Sequence, residues 1–380
     1  MPNVSFAWFQ CFSVLSRSRR FIIDLGILLL MSLLAAFMLA GCDAQQNQGE
    51  DSLSLLIDTT TFVEQGAPSG SLLLTILGNQ PTVAMVSGDG EVIWSIIDDS
   101  HPNSNAAITH ARLQGDVLYY IYYTPESQVT EVDDFHLLVT VDLLTGARHE
   151  RTLAGFHHDF ALLPDGGVGY LANDWRKIHG AFVSGDYISE MDKEGRITVI
   201  WSAWDQIPFD AALIKQDTLD WTHANVLDYD SENDEYSIGL RNMNAIVRVD
   251  RTTKETIRTF AEPQFTMTGV GQFQVWQHRF RWISPNRLLL FDNGEAERQA
   301  SRAVEYEINW SENTAQQVWS HYSDPISYTY LLGDVERLAS GDTLICWGDQ
   351  GRIDLVTPDG EVTWTLQVDG KLGYFEWFPN

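Results

Sequence analysis

The chain is poor in cysteine, poor in positive charge, and without any long segment whose apolar residues recur at helical spacing. Only 3 Cys occur in 380 residues, which excludes a fold stapled by disulfides. Lys and Arg number 24 against 52 Asp and Glu, a formal net charge of −28. A nucleic-acid partner needs a basic face that displaces counterions from phosphate, so that class is excluded. The same sign opposes adsorption of the protein surface to anionic lipid heads. No Gly-rich stretch has the spacing of a phosphate-cradling P-loop, so nothing points to a nucleotide. Hydrophobic residues, at 44%, supply a large core and exclude global disorder.

What is present begins with a leader. Arg17, Arg19 and Arg20 precede an uncharged stretch from Leu25 to Gly41 that is short for a membrane span and ends in small residues. The tetrapeptide Leu39-Ala40-Gly41-Cys42 resembles the bacterial lipobox, in which the cysteine thiol is lipidated and becomes the mature N-terminus. We therefore expect a lipoprotein signal peptide at residues 1–41, and a lipidated Cys42 with a flexible, Gln-rich tether at 42–52. The folded part is expected to span residues 53–380. An uncleaved anchor helix is the alternative. Asp43 resembles the residue that keeps many lipoproteins in the inner membrane, which places the chain on the periplasmic side of that membrane. Cys346 is then the only cysteine of the folded part, and its apolar strand makes it a small buried hydrophobe.

A repeated unit dominates the remainder. Six times a turn rich in Asp, Asn and Gly leads into an alternating strand: Glu91 to Ile96, Ala147 to Leu153, Arg196 to Trp201, Glu255 to Phe260, Thr314 to Trp319 and Glu361 to Val368. Five of these are preceded by a strand, a polar turn and a second apolar strand, at 110–123, 158–171, 223–240, 278–291 and 334–347. For the first repeat the equivalent must come from Leu53 to Phe62 and Ser71 to Leu77. Six repeats of four strands predict an all-β, six-bladed β-propeller rather than a two-sheet sandwich. Most of the 13 Trp are expected to pack the blades.

Four of the inner-strand segments open with histidine: His110, His158, His223 and His278. The innermost strands of a propeller all start at one face, so residues tens of positions apart would meet at one mouth of the channel. Imidazoles there suit either a metal or an oxyanion, with a nucleophile or base working near neutral pH. Asn225 lies two residues after His223 and on a strand shares its side. Arg241 ends the second strand of the same blade, and its planar fork matches an oxyanion rather than a cation. The balance favours anion chemistry.

Several segments resemble the bacterial aryl sulfotransferases, which move sulfate between phenols. They are His157-His158-Asp159-Phe160 with Leu163-Pro164-Asp165-Gly166, Gly185-Asp186-Tyr187-Ile188, Asp220-Trp221-Thr222-His223-Ala224-Asn225, Arg241 with Asn244-Ala245-Ile246, Trp276-Gln277-His278, and Phe291-Asp292-Asn293-Gly294 with Ser301-Arg302-Ala303-Val304. They run in the family's order from about residue 150 to residue 350. The resemblance implies a phenolic sulfate ester as donor, a phenol as acceptor, a ping-pong mechanism through a sulfated histidine, and neither a nucleotide donor nor another cofactor. It implies His278 as nucleophile, with His223, His158 and Arg241 as further catalytic residues and Asn225 lining the site. His110 and Ser327 are the remaining substrate-binding candidates, Ser327 being the nearest hydroxyl to a family Thr after the fifth blade.

Arg279 departs from the small or acidic residue usual after the nucleophile and is expected to alter its pKa or the donor pocket. His136, His149, His179 and His321 are expected in loops or outer strands, in contact with solvent, and Asp228 to Asp234 as a solvated turn rather than a calcium loop. Two other classes stay open: a non-catalytic propeller lipoprotein acting as an envelope scaffold, and a metal-dependent hydrolase or lyase in the same channel.

Overall fold

Short alternating strands separated by Asx turns pair into six sheets, antiparallel except where Thr266–Thr268 runs parallel to Thr314–Tyr322 at the edge of the fifth. In the computed structural model the described residues are 57–61, 66–78, 80–101, 107–123, 135–214, 219–295 and 298–380. The leader at 1–41, Cys42 and the tether at 42–52 lie outside the described residues.

The hairpin turns show how sequence sets these elements. Asp192 accepts hydrogen bonds from the N–H groups of Glu194 and Arg196, and Gly195 takes the left-handed backbone that closes the turn. Asp142 and Gly146, Asp250 and Lys254, and Asn309 and Asn313 repeat the arrangement, with a side-chain acceptor first and a left-handed residue last. Between turns the strands bury alternate residues against the next blade. Trp201, Leu227, Tyr236 and Ile238 fill the space between the third and fourth blades, and Trp364 and Leu366 of the sixth pack on Leu72 and Leu74 of the first. Each such side chain contributes roughly 1.5–3 kcal/mol by leaving water. Together the sheets form a six-bladed β-propeller.

Ring closure differs from the expected assignment. The innermost strand of the first blade is Lys371–Pro379, paired with Gly70–Leu77, so the C-terminal segment completes the first sheet. Ile57–Thr61 instead adds a fifth, outer strand to the last blade, along Val362–Val368. Both joins tie chain ends across the seam, where backbone hydrogen bonds prevent the ring from opening.

The inner strands Lys371–Pro379, Ala107–Gln114, Phe156–Leu162, Ala224–Asp230, Phe280–Ser284 and Asp334–Arg337 surround the axis. Inner strands of different blades are not backbone partners of one another. A buried polar chain joins them. Asp159, fully buried in the third blade, accepts from His110 Nδ1 of the second (2.5 Å), the Leu227 N–H of the fourth (2.8 Å) and Arg279 of the fifth (2.5 Å). Burial alone would raise its carboxyl, but Arg279 and His110 hold it well below the ordinary carboxylate range. Asp334 of the sixth blade lies 4.0 Å from Arg279 Nε and accepts from the Phe375 N–H of the first, so the chain passes around the axis. Burial pushes the Asp334 carboxyl up to about 6 against the pull of Arg281 and Arg279.

Removing the carboxylate at Asp159 leaves the buried Arg279 guanidinium without its hydrogen-bonded counter-ion, with only Asp334 at 4.0 Å. Asp159→Ala is therefore expected to lower unfolding free energy by about 3–5 kcal/mol, read as an earlier urea midpoint with unchanged denaturant slope. A midpoint equal to that of wild type would contradict a clasp centred on this residue.

Candidate active site

Three neighbouring blades begin their inner segments with a residue in left-handed backbone: His158 (φ 53°), His223 (φ 50°) and Trp276 (φ 55°). Such a conformation costs a residue with a Cβ roughly 1–2 kcal/mol. It also breaks the two-residue alternation of a strand, so side chains here leave the buried face. In each case the strained residue's N–H is captured by another side chain. His158 donates to Tyr123 Oη (2.6 Å), His223 to Asp220 Oδ1 (3.1 Å) and Trp276 to Asn244 Oδ1 (2.8 Å). Backbone strain of this kind, held by surrounding structure, clusters at functional sites.

The imidazoles of His158 and His223 meet edge to face with centroids 4.9 Å apart. Burial, followed by His223, His157, His278 and Arg241, drives His158 well below the ordinary histidine value, so these groups share one microenvironment. Arg241 sits with its guanidinium carbon 5.3 Å from the Trp276 ring centroid, a cation–π contact. The structure thus brings His158, His223, His278 and Arg241 together.

Each imidazole has a different group behind it. His278 Nδ1 lies 2.7 Å from Asn293 Oδ1, and the Asn293 amide is fixed because its Nδ2 donates to the carbonyls of Thr329 (2.8 Å) and Leu332 (2.9 Å). Nδ1 must therefore be the donor, and Nε2 carries the lone pair. Burial pushes His278 down to about 3, so the ring is neutral. His223 Nδ1 lies 2.5 Å from Asp220 Oδ2. His158 Nδ1 faces His157 Nδ1 at 2.8 Å.

The other candidates lie elsewhere. Asn225 is buried one level deeper, where its amide donates to the Gln277 carbonyl (2.7 Å) and so holds the peptide just before His278. His110 does not reach the mouth with the other three. A register shift between Ile108 and His110 places it at the level of Asp159, fully buried against Tyr374. Ser327 shares its hydroxyl with Ser323 (2.8 Å) inside its own turn and makes no described contact with the imidazoles. Arg279 turns inward to Asp159, so its charge is engaged in the clasp. His136 is a further correction: it is buried on the third strand of its blade, its ring tilted against that of Tyr123 with centroids 4.0 Å apart, not solvated. His149 and His179 are exposed, and His321 is half-buried against Trp319.

Sequence reasoning assigned no role to His157, Asp186, Asp220 or Asn293, although all four stand inside the segments that carried the resemblance. Among the described residues no group of three or more His, Cys, Asp or Glu is arranged to hold a metal ion. The set instead offers one lone pair, two further imidazoles and a fixed cation. This combination suits an anionic group attacked by nitrogen and held by donors at its oxygens.

The comparisons bear on the same segments. Among solved structures the fold is similar to a protein of unknown function from Bacteroides caccae, at 12% identity and TM-score 0.49, covering 82% of this chain and 100% of that one. It is also similar to a periplasmic gluconolactonase of Pseudomonas aeruginosa, at 10% identity and TM-score 0.48, covering 81% and 99%. No curated protein sequence matches the chain. The model of the arylsulfotransferase (ASST) family matches residues 45–366, nearly the whole propeller and every segment that carried the resemblance. The chain belongs to the arylsulfotransferase family.

Proposed function

We propose that the protein transfers a sulfuryl group from a phenolic sulfate ester to a phenol, in two steps through a sulfated His278, without a nucleotide donor. The observation that carries this reading is the fixed amide of Asn293, which commits His278 Nδ1 to donation and leaves Nε2 as a neutral nucleophile. In the first step Nε2 attacks sulfur and the S–O bond to the phenol breaks. The ring then bears Nδ1–H and Nε2–SO3⁻, and Asn293 Oδ1 faces its positive charge. His223, backed by Asp220, gives its Nε2 proton to the departing oxygen, whose phenol has a pKa of about 10. In the second step an incoming phenol returns a proton to His223, its oxygen attacks sulfur, and the N–S bond breaks. Charge on the three sulfuryl oxygens grows as in phosphoryl transfer, and Arg241 and His158 are placed to receive it.

In the same reading the propeller is held by a lipid on Cys42 at the outer side of the inner membrane. Cys42→Ala is expected to move the protein from the membrane fraction to the soluble periplasmic fraction and to abolish incorporation of labelled fatty acid; unchanged partitioning would remove the anchor.

His278→Ala is expected to lower sulfuryl transfer from an aryl sulfate to a phenol by at least about a thousandfold. Wild-type protein given donor without acceptor should carry one added sulfuryl group by mass spectrometry, and the variant none. Equal transfer by the two proteins would sink the assignment. Asp220→Asn tests the acid. Its effect should be about tenfold or more on phenyl sulfate, whose leaving group needs a proton, and small on nitrophenyl sulfate, whose leaving group does not. Equal losses on the two donors would mean that Asp220 and His223 only shape the pocket.

A further inference from the structure

Behind His158 lies a chain of groups that the transfer steps above do not use. His157 is buried, with Nδ1 2.8 Å from His158 Nδ1 and Nε2 3.0 Å from Asp186 Oδ1. Asp186 is also buried, and its second oxygen accepts from the Thr222 hydroxyl and the Ala224 N–H. Its first oxygen is the one turned to His157. Burial would raise the Asp186 carboxyl, but His157 and Thr222 bring it below its ordinary value, so it is a carboxylate.

The proton positions follow from what each atom can donate or accept. Asp186 Oδ1 has no proton, so His157 Nε2 must carry one. Only one hydrogen fits between the two Nδ1 atoms. If both rings are neutral, that hydrogen belongs to His158 Nδ1, and His158 Nε2 is a bare lone pair. Nε2 is on the ring edge away from His157, and His158 is partly exposed beside His223. A lone pair there repels a sulfuryl oxygen. If the pair holds one more proton, His157 becomes an imidazolium that donates from Nδ1 to His158 Nδ1 and from Nε2 to Asp186. The proton between the rings then belongs to His157 Nδ1, the added proton sits on His158 Nε2, and His158 becomes a donor to the pocket. The surroundings assign the extra charge to His157, because Asp186 faces that ring while burial, His223, His278 and Arg241 oppose a charge on His158.

We propose that Asp186, His157 and His158 form a one-proton switch on anion binding: the site takes up a proton from solvent as it takes up a sulfuryl-bearing anion, and His157 and Asp186 are positioning residues for it. The inference rests on the pocket being the sulfuryl site. Other charged or titratable groups face the pair from three neighbouring blades. From the second blade these are Tyr123, which accepts the His158 N–H, and His136, which burial holds at about 3 and so neutral. From the fourth and fifth blades they are His223 with Asp220 behind it, Arg241, and the neutral His278. Of these, the His223–Asp220 pair is the other group able to take up a proton, and the test separates the two.

The protein to use is full-length His278→Ala, which binds donor without consuming it, with 4-nitrophenyl sulfate as probe. Calorimetry in buffers of different ionisation enthalpy counts protons taken up on binding. We expect uptake to approach one proton per anion at about pH 8, with affinity falling about tenfold per unit as pH rises there. Adding His157→Gln supplies an amide donor to His158 Nδ1 that does not titrate, so both the uptake and the pH slope should vanish. Adding Asp186→Asn removes the counter-charge. Affinity should fall on the order of tenfold at about pH 8 and recover on acidification. Uptake that persists in His157→Gln assigns the proton to His223 and overturns the proposal, as does binding without uptake in the parent. A uniform loss of affinity with an unchanged pH slope also overturns it, because that is what a packing role would give. Proton-coupled binding by a protein whose wild type transfers nothing would leave the switch standing and defeat the enzymatic reading instead. Full transfer activity in wild type with proton-independent binding would do the reverse.

Discussion

A propeller has a weak place at its axis. Inner strands of adjacent blades are not backbone partners, and only side chains span the gap. Here the gap is closed by one carboxylate, Asp159, which takes donors from the second, third, fourth and fifth blades, and is continued through Arg279 to Asp334 and the backbone of the first. An ion pair in this setting is worth little against a well-packed apolar substitute, but it is very costly to leave half-made. Its value is geometric: the same residues that close the ring fix the height of each blade along the axis. His158 precedes Asp159, and His278 precedes Arg279, so the clasp sets the positions of two site imidazoles through a single peptide each.

That arrangement also accounts for how a chain of net charge −28 gathers three imidazoles and a guanidinium at one mouth. Below the mouth the buried cation Arg279 is matched by Asp159 and Asp334, and its charge does not reach the pocket unopposed. At the mouth the order is reversed. Asp186 and Asp220 stand behind His157 and His223, so the pocket meets imidazole and guanidinium first and carboxylate only behind them. At such separations a carboxylate at the back of a ring stabilises a proton on that ring more than it repels an anion at the front.

The fold was largely legible in the sequence because its signals are local. An Asx acceptor, a left-handed turn residue and a period-two run occur within ten residues of one another, as at Asp192 to Trp201. Closure was not legible. Lys371–Pro379 pairs with Gly70–Leu77 some three hundred residues away, and neither pattern differs from that of an ordinary blade strand. The histidine register was legible at three blades and failed at His110, because one unpaired residue between Ile108 and His110 shifts its side chain down a level and no local motif marks the shift. His136 was misplaced for a related reason: the Tyr123 ring that buries it comes from the neighbouring strand. The groups behind the imidazoles were visible as letters but not as partners. Asp186 is reached from a different strand, and Asn293 acts only because Thr329 and Leu332 orient its amide.

The three imidazoles have the same intrinsic chemistry, so any division of labour among them must come from what stands behind each ring. A fixed neutral amide behind His278 directs a lone pair forward without adding a proton. A carboxylate stands in direct contact behind His223. A second imidazole between His158 and Asp186 moves the charge one ring back, so His158 presents a donor while remaining neutral itself. In the proposed mechanism, nucleophile, acid and oxyanion donor are thus distinguished at Nδ1, the nitrogen away from the reaction. Each Nδ1 contact is made by a group from the same blade or loop as its histidine, close to the left-handed residues His158, His223 and Trp276, whose N–H groups are held by Tyr123, Asp220 and Asn244. The strain at those positions therefore has a structural consequence: it orients each ring along one line from backing group to pocket, and a relaxed strand would turn the imidazoles back into the blade.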